Sequence, residues 1–291
     1  LAAMTPPASR RVHSAVDVGE SFIESLDEPY RVLSTGIPPL DMAIAGGLER
    51  QNLSVIGARP SMGKSAIAFQ IARNVAVSGY KVLFFSLEMS ERNLWARAAC
   101  PLAGLTWAEV KAKRYTKAQR EQLEIETRNL MDVFGTNLLI HDEASTTADI
   151  WEMSSSERPA LVVVDHLRLI KDQAGENENK RVGMISQTLK EMAKQLDCHV
   201  CLLAQLSRKG DDRAEKRPEL TDLRDSGEIE ENADLVMMPY REGYYKPELE
   251  RGNVSKTELW IKKQRDGVLN VKVNLEYNLR AQWFVEPARG N

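Results

Sequence analysis

The 291-residue chain carries 39 lysine and arginine residues against 42 aspartate and glutamate residues, a formal net charge of −3. This length suits one large α/β domain or two small ones, and the charge balance alone does not mark a nucleic-acid binder. No run approaches the roughly 18 apolar residues of a membrane span, and no secretory signal is recognisable. We therefore expect a cytoplasmic protein with no membrane partner. Because the sequence begins at Leu1 and not at Met, we also expect it to be a piece of a longer protein.

Residues 1–29 are predicted to form a flexible lead-in followed by a linker helix, ahead of a main domain over residues 30–291. Pro6 and Pro7 favour an irregular start. Apolar side chains then recur at helical spacing from Val12 to Leu26, and Pro29 ends the pattern. A single amphipathic helix can pack on its own domain or on a neighbouring subunit, and the pattern leaves both possibilities open.

A phosphate-binding loop is predicted between a strand and a helix. The apolar run from Leu53 to Ile56 predicts the strand, and residues 65–78 have helical spacing with Gly79 as a stop signal. The loop between them reads Ala58-Arg59-Pro60-Ser61-Met62-Gly63-Lys64-Ser65. It has the Gly-Lys-Ser ending of a phosphate loop, with a small residue, alanine, at the first glycine position.

Each residue at the end of this loop has a predicted role in binding a nucleoside triphosphate. Backbone N–H groups and the positive end of the following helix bind phosphates in such loops. Gly63 lets the backbone approach the phosphates, and Lys64 balances charge on the β- and γ-phosphates. The Ser65 hydroxyl is predicted to bind Mg²⁺.

Three other predicted strands end in polar residues. The strand from Lys81 to Ser86 leads to Glu88. The strand from Ala160 to Val164 ends at Asp165, and the strand from Val200 to Ala204 ends at Gln205. The carboxyl ends of parallel strands share one edge of a sheet, where ligands gather. We expect Asp165 to hold the magnesium hydration shell, Glu88 to orient or deprotonate the attacking water, and Gln205 to sense the γ-phosphate.

The alternation of strands and helices predicts an α/β fold with a mainly parallel, doubly wound sheet. Within it, Cys198 and Cys201 form a Cys-x-x-Cys pair that opens an apolar run. No second pair completes a zinc site, so we interpret the two cysteines as residues of a core strand.

A C-terminal β-hairpin is predicted from Thr257 to Lys263 and from Val268 to Glu276, with a turn over residues 264–267 that contains Asp-Gly. Lys263 and Arg265 lie near its tip. They are the candidates for the cationic finger that nucleotide hydrolysis requires, and if one subunit supplies them to the next, hydrolysis is tied to a ring or filament.

Taken together, the motifs resemble the C-terminal ATPase domain of the DnaB-like replicative DNA helicases of bacteria and phages, a family of RecA-fold hexamers. The matching stretches run in family order from about Ser34 to Phe284. They are Ala58–Ser65, Ser86–Met89, Val162–Asp165, Ala204–Arg208, Lys216–Pro218, Asp222–Gly227, Ala233–Leu235 and Lys263–Gly267. His166 and Arg168 stand where the family usually has Tyr and Gln, which suggests a divergent phage or plasmid member.

The resemblance implies a RecA-like P-loop ATPase that uses ATP and Mg²⁺. It further implies a homo-hexamer that moves along single-stranded DNA, unwinds forked duplex, and works with a helicase loader and a primase. In this family Glu88 is the water-activating carboxylate, Asp165 the magnesium-associated one and Gln205 the sensor.

The resemblance also extends to residues that face other molecules. Lys263 and Arg265 are implied to act in trans, and the linker helix to dock on the next subunit. The residues implied to face DNA in the central channel are Arg208, Arg213, Arg217, Arg224, Asp225 and Gly227. Two other functions stay open at this point: a RecA-fold ATPase of the recombinase or clock type, and an ATP-binding platform that does not unwind DNA.

Overall fold

The computed structural model describes residues 14–27, 32–172, 178–207, 213, 215–250, 252–265 and 267–287. The described residues divide into two units, one that contains residues 14–27 and one that begins at residue 32. In the first unit, helix α1 covers Ala15–Ser25 and begins with a capping box. Asp17 N donates to Ser14 Oγ, and Ser14 N donates to Asp17 Oδ2, each at 3.1 Å. This pair satisfies two backbone donors that the helix start leaves open; the predicted lead-in before it and Pro29 lie outside the described residues.

The second unit alternates strands and helices along most of its length. Its described helices are α2 Pro38–Ala43, α3 Lys64–Val77, α4 Glu91–Leu102, α5 Trp107–Lys111, α6 Lys117–Phe134, α7 Thr147–Glu157, α8 Glu178–Leu196, α9 Gly227–Asn232 and α10 Glu242–Tyr245. Its described strands are β1 Val32–Leu33, β2 Leu48–Glu49, β3 Leu53–Ala58, β4 Val82–Ser86, β5 Leu138–His141, β6 Leu161–Asp165, β7 His199–Gln205, β8 Leu235–Arg241, β9 Val254–Gln264, β10 Val271–Asn278 and β11 Trp283–Val285.

Nine of these strands form one sheet in the order β11-β10-β9-β8-β3-β7-β6-β4-β5. The pairs from β8 to β5 are parallel, and β9, β10 and β11 join antiparallel. The predicted α/β fold with a mainly parallel sheet and a C-terminal hairpin extension is therefore confirmed.

Helices cover both faces of the sheet, and its central strands contribute side chains alternately to the two faces. In β6, Leu161 and Val163 pack into one core cluster with α3, whereas Val162 and Val164 pack into another with α8. Cys201 belongs to the first cluster and Cys198 to the second, and burial raises the pKa of each thiol to about 12. The core-strand interpretation of this pair agrees with their burial, and such thiols are unreactive near neutral pH.

The hairpin differs from its predicted form at the tip. Ile261 of β9 pairs with Val271 of β10, so residues 265–270 connect the strands instead of 264–267. Strand β9 outlasts β10 because its last residue, Gln264, still pairs with Leu235 of β8. Asn270, with a φ of 57°, takes the left-handed conformation that ends the connection, and Asp266 lies outside the described residues.

Two further features concern the helices. Helix α8 begins at Glu178, and the residues buried on its inner face start at Val182. In the part of the chain that the structure covers, no helix is both long and apolar enough to cross a membrane.

Candidate nucleotide site

The phosphate loop joins the carboxyl end of β3 to the amino end of α3. Two of its residues take the left-handed backbone conformation: Ser61, with a φ of 65°, and Gly63, with a φ of 95°. A Cβ atom at Gly63 would lie 2.7 Å from Phe284 Cζ, so this position requires glycine. Ala58 ends β3 without a positive φ, which explains why alanine can replace the first glycine of the motif.

The loop is held from both sides and leaves the helix start available to an anion. Arg59 Nη1 donates to Leu206 O, and Arg241 Nη1 donates to Ser61 O, each at 3.0 Å. Gly63 caps α3 without a side-chain hydrogen bond, and the first turn contains no acidic residue. The first N–H groups of a helix have no intrahelical partner, so they bind phosphate well.

A cavity of about 490 Å³ opens above this loop. Its lining residues include all loop residues from Ala58 to Ser65 except Met62, together with Glu88 and Gln205. Met62 is buried away from the cavity. The volume falls within the range typical of small-molecule and cofactor sites.

The carboxylates lie where the sequence predicted them, at the ends of neighbouring strands. Asp165 is buried, and its Oδ1 atom lies 3.6 Å from Lys64 Nζ. None of the described groups donates a hydrogen bond to Oδ1. A buried carboxylate oxygen without a donor suits a hydrated Mg²⁺, whose preferred ligands are oxygen atoms and water.

Glu88 and Gln205 flank this pair. Glu88 N donates to Asp165 O at 3.2 Å, which fixes the backbone of the two carboxylate residues side by side. The Glu88 side chain is exposed and lines the cavity. Gln205 pairs in register with Ala58 at the end of β7, and its side chain is exposed to the same cavity.

Two arginines of the cavity were missed by the sequence analysis. Arg97 lies on α4; its pKa is lowered by burial and partly restored by Tyr277, Asp165 and Glu88. Arg241 ends β8, where it contacts the Tyr277 ring with its guanidinium carbon 4.9 Å from the centroid. The position of Arg241, at the carboxyl end of a strand beside β3, is a signal that could have identified it.

Lys263 and Arg265 do not line this cavity. Strand β9 runs antiparallel to β8, and its end pairs with the start of β8, so both residues lie at the opposite edge of the sheet. Lys263 Nζ donates to Glu230 O at 2.5 Å and to Glu231 O at 3.3 Å. Arg265 Nη1 lies 3.0 Å from Asp234 Oδ1. The structure therefore separates the two predicted finger residues from the phosphate loop of their own chain.

The residues predicted to face DNA include one that the structure does not describe and two arginines that pair with carboxylates of their own chain. Arg208 lies outside the described residues. Arg213 Nη2 pairs with Asp222, at 2.5 Å, and Arg217 forms a two-pronged contact with Glu258.

The other three predicted DNA contacts lie on one short segment. The backbone of Arg224 and Asp225 belongs to a 3₁₀ helix over Leu220–Ser226, and their side chains lie outside the described part of the structure. Gly227 begins α9, and a Cβ atom there would meet nothing within 4 Å.

Comparison with known proteins relates the chain to one family. A family model for the DnaB-like helicase C-terminal domain matches residues 32–286. The chain is 34% identical to the replicative DNA helicase DnaB of Geobacillus stearothermophilus over 254 residues, covering 84% of this chain and 55% of that protein. It is 32% identical to the corresponding Haemophilus influenzae protein over 294 residues, covering 93% and 60%. The chain therefore spans little more than half the length of these relatives.

Two solved structures share this fold. One is described as an ATPase domain and has a TM-score of 0.82 and 31% identity, with 94% of this chain and 97% of that one covered. A DnaB-like replicative helicase, described with its interactions with primase, also has a TM-score of 0.82 and 31% identity. That match covers 94% of this chain and 68% of the other.

Proposed function

This chain belongs to the DnaB-like helicase C-terminal domain family, and from that premise we propose that it is the ATP-hydrolysing motor of a ring-shaped replicative DNA helicase. The motor moves along single-stranded DNA and unwinds duplex at forks. Because its substrate is replicating DNA, we place this activity in the cytoplasm. The names of the relatives support the proposal.

The observation that carries the proposal is the division of the catalytic groups between two edges of one sheet. The phosphate loop, Glu88, Asp165 and Gln205 meet at the carboxyl edge, whereas Lys263 and Arg265 lie at the amino edge. Phosphoryl transfer in P-loop ATPases gains much of its rate from a cationic finger. A second copy of the chain, presenting its amino edge to this cavity, supplies that finger, and a closed ring of copies completes every site.

Each side chain then has one task in the hydrolysis of ATP. The loop N–H groups and Lys64 bind the phosphates, and Glu88 orients the water that attacks the γ-phosphorus and accepts its proton. The bond from the γ-phosphorus to the bridging oxygen breaks, so ADP and phosphate leave. Ser65 and Asp165 would hold Mg²⁺, which supplies positive charge at the β- and γ-phosphates when bound. Gln205 lies at the end of β7 and senses the γ-phosphate. When phosphate leaves, Gln205 transmits the change to the DNA-facing segment that follows β7.

The proposal extends to partners and to domain organisation. In a homo-hexamer, six copies of the segments that contain Arg213 and Gly227 line one central channel. Contacts made there to the DNA backbone carry no sequence information. Residues 1–29 serve as the lead-in and the linker helix that docks on the next subunit, and residues 30–291 as the motor. A related structure described with its primase interactions supports primase as a partner, and a helicase loader is proposed by family analogy.

Hydrolysis, assembly and unwinding can be measured on the purified chain. We expect ATP turnover that single-stranded DNA stimulates, a hexamer in native mass spectrometry, and strand displacement on a forked substrate. Lys64→Ala abolishes turnover, whereas Lys117→Ala, at an exposed lysine of α6, serves as the control and does not. Strand exchange without unwinding would indicate a recombinase-type ATPase, and ATP binding without turnover would indicate a platform.

A further inference from the structure

Asp234 is fixed at the amino edge of the sheet, between α9 and β8. It is buried, and its backbone N–H donates to Leu53 O at 2.8 Å. Leu53 N in turn donates to Asp234 Oδ2 at 2.8 Å. Because β3 holds both the main chain and one carboxylate oxygen, the position of this carboxylate is set by the central strand that carries the phosphate loop.

Two cations share the Asp234 carboxylate, one on each oxygen. Lys190 Nζ contacts Oδ2, and Arg265 Nη1 lies 3.0 Å from Oδ1. Arg265 N also donates to Asp234 O at 2.9 Å. Within the described residues, Oδ1 accepts no hydrogen bond of regular geometry, so its contact with Arg265 is an ion pair that holds the guanidinium by charge.

The two cations differ in exposure. The Lys190 side chain is 12% exposed, whereas that of Arg265 is 56% exposed. A guanidinium has five N–H donors in a rigid plane, and a carboxylate contact through Nη1 leaves donors for a second anion. Lys190 and Leu53 N remain on Oδ2 when Arg265 engages another molecule, so the buried charge stays partnered.

We propose that Asp234 is a positioning residue for the reaction: it orients Arg265 so that the remaining donors of the guanidinium meet the phosphates bound by a neighbouring copy of the chain. This inference rests on the proposed function and assigns a role to a residue outside the nucleotide cavity. Arginine has a large rotamer entropy that must be lost when it binds an anion. A fixed carboxylate removes much of that loss in advance, which is the advantage of preorganisation.

The strand that leads to Arg265 has a second anchor. Lys263 Nζ donates to Glu230 O and Glu231 O, near the carboxyl end of α9, where the helix dipole favours a cation. The backbone on the amino-terminal side of Arg265 is therefore tied to α9, while Asp234 holds the guanidinium. Together these contacts leave Arg265 little freedom except at its exposed donors.

Asp234→Asn tests the proposal, because asparagine keeps the shape and an acceptor but removes the charge. Misplacing a catalytic group by about 1 Å costs roughly 10²-fold in rate, so we expect kcat to fall by about that factor with the affinity for a fluorescent ATP analogue unchanged. The matched control is Asp197→Asn, which removes another carboxylate–arginine pair, with Arg50, at residues unrelated to the finger.

Mixed rings separate a positioning role from a purely structural one. An Asp234→Asn subunit has an intact cavity and a misplaced finger, whereas a Lys64→Ala subunit has a dead cavity and a normal finger. Mixing them must restore turnover at Asp234→Asn cavities. Loss of turnover without restoration, or full turnover of Asp234→Asn alone, overturns the inference while the proposed function stands. An inactive or unassembled wild-type chain overturns the proposed function itself.

A second variant covers the case in which Asp234→Asn does not fold. Asp234→Glu keeps the charge and moves the carboxylate by one methylene, and a cavity of about 60 Å³ lined by Asp234, Gln264 and Arg265 gives it room. We expect the same loss of kcat and the same restoration in mixed rings. Wild-type turnover in this folded variant would contradict the requirement for a fixed carboxylate position.

Discussion

Two ion pairs of the same kind lie at opposite edges of the sheet. At the carboxyl edge, Lys64 Nζ lies 3.6 Å from Asp165 Oδ1, and the two side chains are 12% and 2% exposed. At the amino edge, Arg265 lies 3.0 Å from Asp234, with 56% and 4% exposed. Both aspartates are buried, so the difference is in the cation. Lys64 is enclosed with the nucleotide cavity that it lines, whereas Arg265 is presented outward and does not line that cavity of its own chain.

Among these substitutions, Arg265→Ala is expected to reduce ATP turnover the most. A cationic finger is worth roughly 10³-fold or more in kcat, so we expect turnover to fall by at least that factor while ATP binding stays unchanged. Steady-state hydrolysis and titration with a fluorescent ATP analogue measure the two quantities. Arg120→Ala, on the exposed face of α6, is the control.

Mixing shows in which copy the arginine works. Arg265→Ala rings regain turnover when Lys64→Ala subunits, which carry normal fingers, are added. Weaker ATP binding in Arg265→Ala, or no recovery in well-mixed rings, would mean that the arginine serves its own chain.

Glu88→Gln makes the complementary change at the carboxyl edge. Loss of a positioned general base costs roughly 10²- to 10⁴-fold in kcat, and we again expect ATP binding to be kept. Because Glu88 and Lys64 line the same cavity, a mixture of Glu88→Gln with Lys64→Ala must stay inactive, whereas a mixture with Arg265→Ala must recover. Recovery in the first mixture would contradict the assignment of both residues to one chain's cavity.

The carboxyl edge could be predicted from the sequence because its groups follow a local rule. Asp165 and Gln205 end apolar strands and Glu88 follows one closely, and parallel strands bring such ends together. Lys64 is marked by the loop motif that joins a strand to a helix. Arg97 escaped prediction because a side chain on helix α4 enters the cavity only through tertiary packing. Arg241 follows the same local rule as the other groups, since it ends β8 beside β3, and it was overlooked.

The amino edge was less predictable. The sequence indicated that Lys263 and Arg265 lie near a hairpin, but the antiparallel pairing that moves them away from the phosphate loop depends on contacts between β8 and β9. Asp234 pairs with Lys190 and Arg265, which are far apart in the sequence. No local pattern marks such a triad, because burial and not spacing decides which carboxylate holds which cation.

His199 makes the amino edge sensitive to pH. It starts β7, and its ring nitrogens lie 2.6 Å from Glu49 O and 2.8 Å from Ser54 Oγ. Burial lowers its pKa from 6.5 to about 4. The unfolded chain therefore binds a proton that the folded chain excludes between these values, so stability is full above pH 6.5 and falls as the pH drops toward 4, by up to about 3 kcal/mol.

Urea unfolding at pH 7.5 and pH 5 measures this effect. In His199→Gln the residue no longer titrates, so we expect the variant to lose less stability than the wild type over the same interval. Equal losses in the two proteins would show that other groups cause the acid sensitivity. ATP binding at pH 7.5 should be the same in both, because His199 does not line the nucleotide cavity.

The smallest expected effect is on DNA affinity and concerns Arg217, which is predicted to face DNA but forms an ion pair with Glu258 of its own chain. Arg217 donates to Glu258 at 2.6 and 2.9 Å, and its guanidinium carbon lies 5.2 Å from the centre of the Tyr240 ring. To hold a phosphate, this arginine must share or leave Glu258. Glu258→Gln weakens the pair, so we expect single-stranded DNA to bind about threefold more tightly, with a salt dependence steeper by about one phosphate contact.

Fluorescence anisotropy of a labelled oligonucleotide over a salt series separates the possible causes of that gain. Glu121→Gln on α6 changes the net charge equally at an exposed position, so an equal gain there would indicate a general charge effect. If Glu258→Gln does not bind DNA more tightly, Arg217 acts only within its own chain, as Lys64 does. A gain confined to Glu258→Gln and lost in the double variant with Arg217→Ala would place it with Arg265, because its second partner would then be another molecule.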